Sequence, residues 1–304
     1  MTTKKVCAII LNWNLKDDTL ACVRSVLANR EIEILPIIVD NDSQDDSVRT
    51  FRAEFGEAVR IIVNPENYGY GIGMNVGIQY ALAQTEGDLV LLLNNDTILD
   101  GDMIRELASV AISDDKIGIV SPMILYFHDQ NRIWNLGDRR YTWLPFPWSV
   151  RKNKLDRGEL KVPLEVDYVT GCGMLVKREV FNQIGFFDPI YVMYAEDADF
   201  CRRVRDAGYR IVCVPTAKMW HKVAASSNKD KPRNRFFRTK GQVIFYRRFR
   251  HGPHPFLTHL YVLLRSLWLG FNDLLAGNFS LLKPLLQGLW VGYREPLNQP
   301  RVDR

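Results

Sequence analysis

Asp96 and His221 are the residues best suited to hold a metal ion. Asp96 follows Asn94 by two residues at the end of the apolar run LLLNND, where a buried strand would stop. Mg²⁺ and Mn²⁺ prefer oxygen ligands, often one or two carboxylates together with phosphate oxygens, and neutral imidazole also binds divalent metals. Asp96 could therefore hold a nucleotide diphosphate through a metal, and His221 in AKMWHK could complete the site. The alternative is an ordinary turn Asp and a His of the core or the surface.

Glu196 and Asp197 open a predicted helix in the segment YAEDADFC. A general base needs a carboxylate that faces the substrate and can take a proton from a hydroxyl group. Acidic residues at a helix N-terminus are also favoured by capping and by the helix dipole, without any catalytic role. The residue types alone fit both interpretations.

The glycine-rich run NYGYGIGMNVG (67–77) does not match a dinucleotide-binding fingerprint. That fingerprint needs a third glycine at a fixed spacing, where Met74 or Val76 stands instead. We predict a glycine-rich loop ahead of a helix, in which the backbone could come close to a nucleotide or a sugar.

Alternating strands and helices must position these residues. Apolar runs predict strands, and amphipathic stretches predict helices, in the order 6–13, 17–29, 34–40, 47–55, 60–64, 73–84 and 88–96, beginning with a strand. This alternation predicts an α/β fold with a parallel, doubly wound sheet, whose ligands bind at the carboxyl ends of the strands. Polar clusters follow all four strands, at 12–14, 40–43, 64–67 and 94–96. Asn and Asp are common turn residues, but four successive clusters favour a binding site.

The second part of the chain is less regular at first. Residues 127–165 are rich in Trp and Pro, which predicts a long functional excursion. A strand and a helix are predicted from residue 166, then a helix at 196–208 and a short strand at 210–215, before His221. The five cysteines show no CxxC spacing, and most lie in apolar runs, which indicates reduced, buried thiols in a cytosolic protein.

Charge is divided unevenly along the chain. The net charge is +5, yet residues 229–250 hold nine Lys or Arg against one Asp and carry +8, while 251–304 add +2 and 1–228 carry −5. We therefore divide the chain into an acidic domain (1–228) and a basic C-terminal region (229–304). Aromatic residues alternate with the basic ones of 229–250, which fits both nucleic-acid binding and a solvated helix face.

Two amphipathic segments follow the basic stretch. Polar residues recur along one narrow face of 256–275, and 279–293 repeats the pattern. Neither segment has the roughly 18 uncharged apolar residues of a membrane span. Trp268, Trp290 and Tyr293 behind a basic stretch fit the cytoplasmic face of an anionic membrane. Packing on the core and a dimer interface are the alternatives.

These pieces, in this order, resemble the family-2 nucleotide-sugar glycosyltransferases with the A-type fold, over about residues 5–250. The first half contributes ILNWN, VDNDSQDDS, NPENYGYGIGMNVGI and LLLNNDTIL, and the second DYVTGCGMLVKREVF, IGFFDPIYVMYAEDADFCRRVRDAGYRIVCVPTAKMWHK and RNRFF. The branch of this family that the sequence resembles most contains bacterial rhamnosyltransferases of cell-envelope polysaccharide assembly. The resemblance implies a Rossmann-like, mostly parallel sheet flanked by helices, with the catalytic domain in 1–228 and amphipathic helices after it.

The resemblance also assigns roles to residues. Asp197 would be the general base, with Glu196 in support. Asp96 fills the last position of the family's D-x-D motif and His221 that of its metal-binding histidine, which implies Mg²⁺ or Mn²⁺ as cofactor. The donor would be bordered by residues from the strand ends and the following helix: Asn12, Asn14, Asp40, Asn41, Ser43, Asn67, Asn75, Asn95 and Asp96. The chain departs from the family's pattern at Asn94, which replaces the motif's first Asp, and at Pro189 and Ile190 after the FD pair.

The implied function is inverting transfer of a sugar such as rhamnose in cell-envelope glycan synthesis. The donor would be a UDP- or dTDP-sugar, and the acceptor a hydroxyl group of a lipid-linked molecule or a polysaccharide. We expect a cytoplasmic protein, peripheral on the inner face of the cell membrane, with a homodimer as an option and no nucleic acid as partner. The alternative is a non-catalytic module on the same fold that binds a nucleotide sugar or a glycan.

Overall fold

The structure is a computed structural model that describes residues 5–29, 31–140, 147–223, 230–249 and 255–297. Its helices are α1 (Lys16–Leu27), α2 (Ser47–Phe55), α3 (Gly69–Gln84), α4 (Met103–Ile112), α5 (Arg178–Ile184), α6 (Glu196–Asp206), α7 (Lys231–Arg248), α8 (Pro255–Leu275) and α9 (Leu282–Arg294). Its strands are β1 (Lys5–Asn12), β2 (Glu33–Asp40), β3 (Arg60–Val63), β4 (Leu89–Asn94), β5 (Thr97–Leu99), β6 (Ile117–Tyr126), β7 (Ile133–Asn135), β8 (Asp138–Arg140), β9 (Pro147–Ser149), β10 (Leu164–Val166), β11 (Gly173–Lys177) and β12 (Arg210–His221).

One large sheet forms the centre of the protein. Its hydrogen-bonded neighbours follow the order β10-β12-β6-β11-β4-β1-β2-β3, with β5 paired to β12 and β7 to β6. The first four strands of the chain run parallel, as the alternation of strands and helices predicts. The antiparallel strand β11 lies between β4 and β6, which the alternation did not predict. The α/β prediction is confirmed.

Both faces of the sheet are covered, which explains the continuous apolar runs of its strands. Along β1, Val6, Ala8 and Ile10 belong to one core, while Cys7 and Ile9 belong to the other, and all five are fully buried. Helices α1, α2 and α4 cover the first face, and α3, α5 and α6 cover the second. All five cysteines are buried and none forms a disulfide bond within the described residues, as predicted.

Three segments differ from the sequence prediction. Helix α3 begins at Gly69, so its glycines lie in the helix rather than in a loop ahead of it; a Cβ at Gly77 would lie 2.5 Å from Ile9, so close packing explains the glycine. Strand β12 continues past Pro215 to His221, because a register shift next to the proline accommodates it. Region 127–165 contains β7 to β10, and its residues 141–146 lie outside the described ranges.

Helices α7, α8 and α9 match the predicted basic and amphipathic segments. A Cβ at Gly288 would lie 2.7 Å from the Phe236 carbonyl oxygen, and one at Gly292 would lie 2.7 Å from Val243, so these glycines let α9 pack closely on α7. The predicted domain boundary at 228/229 lies outside the described residues, as do Lys229 and Arg250 of the basic stretch. Within the described ranges, every helix is too short or too polar to cross a bilayer.

Candidate active site

The carboxyl ends of the parallel strands meet at one edge of the sheet. Asn12 of β1 pairs with Asp40 of β2, and Leu11 pairs with Asn94 of β4. Nδ2 of Asn12 donates hydrogen bonds to Oδ2 of Asp40 at 2.7 Å and to Oγ of Ser43 at 3.0 Å. The backbone N–H of Ser43 donates to Oδ1 of Asp40 at 2.9 Å. Asp40 is therefore a buried carboxylate that is held from two sides.

Asn14 and Asn95 extend this polar network. The backbone N–H of Asn14 donates to Oγ of Ser43 at 3.0 Å. Nδ2 of Asn95 donates to the Thr19 hydroxyl at 2.9 Å, and that hydroxyl donates to Oδ1 of Asn12 at 2.7 Å. The segments after β1, β2 and β4 are thus linked through side chains, and Thr19 is a link that the sequence analysis missed.

Asn41 and Asn75 use their amide groups inside the protein. Nδ2 of Asn41 donates to Oδ1 of Asn67 and to the carbonyl oxygen of Gly69, each at 3.0 Å. Asn75 donates to the Phe187 carbonyl at 2.8 Å and accepts from its N–H at 3.1 Å. These bonds hold the first turns of α3 against the neighbouring loops. Asn41 and Asn75 therefore stabilise the site through hydrogen bonds within the protein.

The structure brings Asp96 and His221 together. Nε2 of His221 lies 3.1 Å from Oδ1 of Asp96, and both side chains are buried. The antiparallel pairing of β5 with β12 sets their positions, since His221 is the register partner of Thr97. The N–H of Lys222 also donates to the Asp96 carbonyl oxygen at 3.0 Å.

This pair fits a divalent cation as part of a larger ligand set. Nδ1 of His221 is buried without a hydrogen-bond partner among the described residues, and the ring meets Trp134 edge-on at 4.6 Å between centroids. In the described parts of the chain, no group of three or more His, Cys, Asp or Glu could hold a metal by itself. Mg²⁺ and Mn²⁺ commonly take few protein ligands and complete their shell with phosphate oxygens and water. The side chains of Asp96 and His221 therefore fit a metal ion that also binds a diphosphate.

A cavity of about 320 Å³ opens beside the pair. His221 and Lys222 line one side of it, and residues 126–129 line another. Lys222 forms an ion pair with Asp18 and lies 5.1 Å from the centre of the Phe127 ring. The sequence analysis missed this cavity, for which the YFH triplet at the end of β6 was a weak signal.

Asp197 lies in the first turn of α6 and accepts three hydrogen bonds. Its Oδ2 accepts from the Tyr168 hydroxyl at 2.7 Å and from the Gly171 N–H at 3.2 Å, and its Oδ1 accepts from the Ala198 N–H at 2.8 Å. Burial raises the pKa of Asp197 above its ordinary value, and these donors oppose the rise because they stabilise the ionised form. Asp197 is thus an ionisable carboxyl group with a raised pKa, and the sequence analysis missed its partners Tyr168 and Gly171.

Glu196 is the second carboxyl group of the pair. Burial and the adjacent charge of Asp197 raise the pKa of Glu196 well above its ordinary value. Its Oε2 atom has no hydrogen-bond partner within the described structure, and its Cβ would lie 3.6 Å from a Cβ added at Gly71 of α3. Of the two carboxyl groups, Glu196 is therefore protonated in preference to Asp197, and the negative charge of the pair lies on Asp197.

A strained loop positions both carboxyl groups. The φ angles of Val192, Tyr194 and Ala195, just before α6, are positive, at 49°, 67° and 74°. Residues other than glycine seldom adopt this backbone conformation. Two helices hold the loop. The N–H of Tyr70 in α3 donates to the Val192 carbonyl at 3.0 Å, and a Cβ at Gly241 of α7 would lie 2.6 Å from the Tyr194 carbonyl oxygen. Helix α7 of the C-terminal region thus takes part in placing Asp197's helix.

Comparison with known proteins gives related sequences across most of the chain. The family model described as "Glycosyltransferase like family 2" matches residues 4–239. The N-acetylglucosaminyl-diphospho-decaprenol L-rhamnosyltransferase of Mycobacterium tuberculosis is 27% identical over 242 residues, which cover 73% of this chain and 76% of the relative. The dTDP-rhamnosyl transferase RfbF of Shigella flexneri is 21% identical over 254 residues, 81% of each chain. The rhamnosyltransferase WbbL of Escherichia coli is 27% identical over 162 residues, 51% of this chain and 61% of WbbL.

Two solved structures share the fold. GalNAc-T7 with UDP, GalNAc and Mn²⁺ superimposes with a TM-score of 0.61 at 15% identity, over 80% of this chain and 48% of that chain. The mannosyltransferase PcManGT from Pyrobaculum calidifontis, in complex with GDP-Man and Mn²⁺, gives a TM-score of 0.57 at 16% identity, over 96% and 76% of the two chains. The match spans about half of the GalNAc-T7 chain. At these identities the likeness concerns the fold alone, and it confirms the predicted A-type architecture.

Proposed function

The chain belongs to glycosyltransferase-like family 2, and we propose that it moves rhamnose from a nucleoside-diphosphate sugar to a hydroxyl group of a lipid-linked or polysaccharide acceptor. The names of its relatives support the proposal, because one describes a rhamnosyltransferase that acts with a diphospho-decaprenol compound and another a dTDP-rhamnosyl transferase. The donor would be dTDP- or UDP-linked, and the product would belong to cell-envelope glycan synthesis.

Asp197 carries the proposed chemistry. Its carboxylate takes the proton of the acceptor hydroxyl while the hydroxyl oxygen forms a bond to the anomeric carbon of the donor. The bond from that carbon to the phosphate oxygen breaks, and its electron pair leaves with the nucleoside diphosphate. Because attack and departure occur on opposite faces in one displacement, the anomeric configuration inverts. The observation that supports this role is the half-buried carboxylate with three hydrogen-bond donors.

The donor nucleotide is proposed to bind along the strand ends. The residues with polar atoms at this edge are Asn12, Asn14, Asp40, Ser43 and Asn95. Asn41, Asn67 and Asn75 are proposed to border the pocket indirectly, by holding the first turns of α3. Fixed polar groups of this kind bind a ligand without first having to be ordered, which favours a well-defined donor position.

Asp96 and His221 are proposed to hold a divalent metal, Mg²⁺ or Mn²⁺, together with the donor diphosphate. Such a metal supplies positive charge that stabilises the leaving diphosphate. The 3.1 Å contact between the two side chains supports the assignment, as does Nδ1 of His221, which has no hydrogen-bond partner among the described residues. The Mn²⁺ named for both structural neighbours supports it too. Asn94 supplies no carboxylate, so the diphosphate and water would provide the other ligands.

An Asp197→Asn variant tests the proposal. The amide cannot accept the proton, so transfer should fall by about 10²–10⁴-fold, while donor binding stays within a few-fold of wild type. Release of nucleoside diphosphate measures turnover, and a thermal-shift panel of dTDP- and UDP-sugars with Mg²⁺ or Mn²⁺ measures binding.

The matched control for Asp197→Asn is Asp206→Asn, the same chemical change at the exposed end of α6, where the carboxylate pairs with Arg202. The control should keep full turnover. Unchanged turnover in Asp197→Asn would refute the assignment of the base. A wild-type chain that binds the donor and never releases nucleoside diphosphate would instead be a non-catalytic binding module.

We further propose that the protein works at the inner face of the cell membrane, where a lipid-linked acceptor would be available. The +10 of residues 229–304 supports this location, since it would attract anionic lipid. A homodimer stays a prediction, and light scattering of the purified protein across a concentration series tests it.

A further inference from the structure

Helices α8 and α9 present one continuous set of large apolar side chains to solvent. We name it the apolar face and define it by Leu263, Leu267, Trp268, Phe271, Leu286 and Trp290, each more than half exposed. The four α8 residues lie on one side of that helix, at helical spacing. Leu282 and Leu285 of α9 are the neighbours of Gly270 of α8, so the two helices lie side by side.

The side of α8 that faces the protein is mainly polar, with Val262 as its buried apolar residue. Thr258, Ser266 and Asp273 are buried there, and Asp273 forms a salt bridge of 2.8 Å with Arg235 of α7. A surface helix of a water-soluble protein normally has the opposite orientation, with its apolar stripe toward the core. Packing on the core, one of the alternatives for this segment, therefore does not account for the exposed apolar residues of α8, such as Leu267 and Trp268.

We infer that the apolar face is a docking surface for an anionic phospholipid bilayer, with α8 and α9 lying in the plane of the membrane interface. This inference rests on the proposed function, because a lipid-linked acceptor would be presented in that plane. Cations lie beside the face: the Arg294 guanidinium is 4.4 Å from the centre of the Trp290 ring, and Lys283 is exposed on α9. Tryptophan next to cations suits the boundary between acyl chains and headgroups.

The excess charge of the region favours lipid over a second copy of the chain. Residues 229–304 carry +10, so two copies facing each other through this region would bring like charges together, whereas anionic headgroups would balance them. Helix α7 connects the apolar face to the active site, because α9 packs on it through Gly292, and Arg248 of α7 contacts Asp199 of α6 at 2.7 Å. Membrane docking would thus hold the catalytic helix at a set distance from the lipid.

Flotation of the full chain with lipid vesicles tests the inference. The vesicles are pure phosphatidylcholine or contain about one third phosphatidylglycerol. Wild type should float with the anionic vesicles, and less so in high salt because screening weakens the charge attraction. The double variant Leu267→Glu/Trp290→Glu should lose about tenfold or more of this partition, since both side chains would insert charge into the interface. The control Val162→Glu, at a 70% exposed apolar residue of the catalytic body, should bind as wild type does.

Three outcomes overturn the inference: the wild type does not float with anionic vesicles, the double variant floats as well as the wild type, or the Val162→Glu control loses flotation as the double variant does. A dimer of wild type that the double variant dissociates, without vesicle binding, would show that a second copy covers the face. Circular dichroism of each variant checks folding. Hydrolysis of the sugar donor without vesicles separates the two proposals. The double variant should hydrolyse the donor at the wild-type rate. A wild-type protein that does not hydrolyse the donor would contradict only the proposed function.

Discussion

Replacement of Tyr168 by phenylalanine removes one hydroxyl group and tests how Asp197 is kept ionised. That hydroxyl donates to Oδ2 of Asp197 at 2.7 Å, and burial raises the pKa of Tyr168 well above its ordinary value, so it stays a donor at working pH. A hydrogen bond to a charged group contributes about 1.5–3 kcal/mol, and one pH unit of pKa corresponds to about 1.4 kcal/mol. Tyr168→Phe should therefore raise the pKa of Asp197 by about one to two.

The pH dependence of transfer measures this change. A general base acts only when ionised, so with Asp197 as the proposed base we expect transfer to be lost as the pH falls through its pKa. In Tyr168→Phe the acid limb of kcat should move upward by about one to two pH units. At alkaline pH, where Asp197 is ionised in both proteins, the variant should recover to within a few-fold of wild type. Nucleoside diphosphate release, followed from about pH 5 to 9, is the assay.

Tyr209→Phe is the matched control for Tyr168→Phe, because the exposed Tyr209 hydroxyl donates to Gln183 at 2.8 Å, away from Asp197. The control should leave the acid limb where it is in wild type. Thermal midpoints of both variants check that loss of activity is not loss of fold. If Tyr168→Phe lowers kcat equally at every pH, or moves the acid limb downward, the hydroxyl does not act through the pKa of Asp197 and the reasoning is refuted.

Three further changes test the surroundings of Asp197, the proposed base. Gly241→Ala should lower kcat about tenfold, because its Cβ would lie 2.6 Å from a carbonyl oxygen of the loop before α6, whereas Gly101→Ala, with open space around it, should not. Glu196→Gln should raise the thermal midpoint by about 2 °C or more at alkaline pH and little near pH 4. The reason is that a raised carboxyl pKa costs stability once the unfolded state ionises, and calorimetry at the two pH values checks it. Arg248→Met should destabilise the protein by about 1.5–3 kcal/mol in urea unfolding, because it removes the charged hydrogen bonds of Arg248 to Asp188 and Asp199, while Asp199 keeps its pair with Arg203.

Much of the architecture could be predicted because it depends on local patterns. The run VCAIIL reads as a strand buried on both faces, and β1 places its side chains alternately in two cores. The clusters after the parallel strands meet at one edge, as the geometry of such sheets requires, with Asn12 beside Asp40. The sequence predicts α3 from residue 73, whereas the helix begins at Gly69, because glycine disfavours helices locally while close packing on β1 requires glycine at positions 73 and 77.

The candidate site depends on contacts between distant segments. No local pattern pairs Asp96 with His221, since their contact arises from the antiparallel pairing of β5 with β12. Tyr168 likewise reaches Asp197 from a different segment, and a tyrosine in DYVTGCG carries no sign of that partner. These partners set the ionisation of the site, so its electrostatics could not be inferred from residue types.

The residue types at the strand ends, the acidic start of α6 and the basic, amphipathic character of the C-terminal region follow directly from the amino-acid sequence. Which side of α8 faces the protein depends on tertiary packing, which turns Ser266 and Asp273 inward and Trp268 outward. The reason is that helical periodicity defines two faces without choosing between them. The choice depends on what each face meets, here Arg235 of α7 on the polar side.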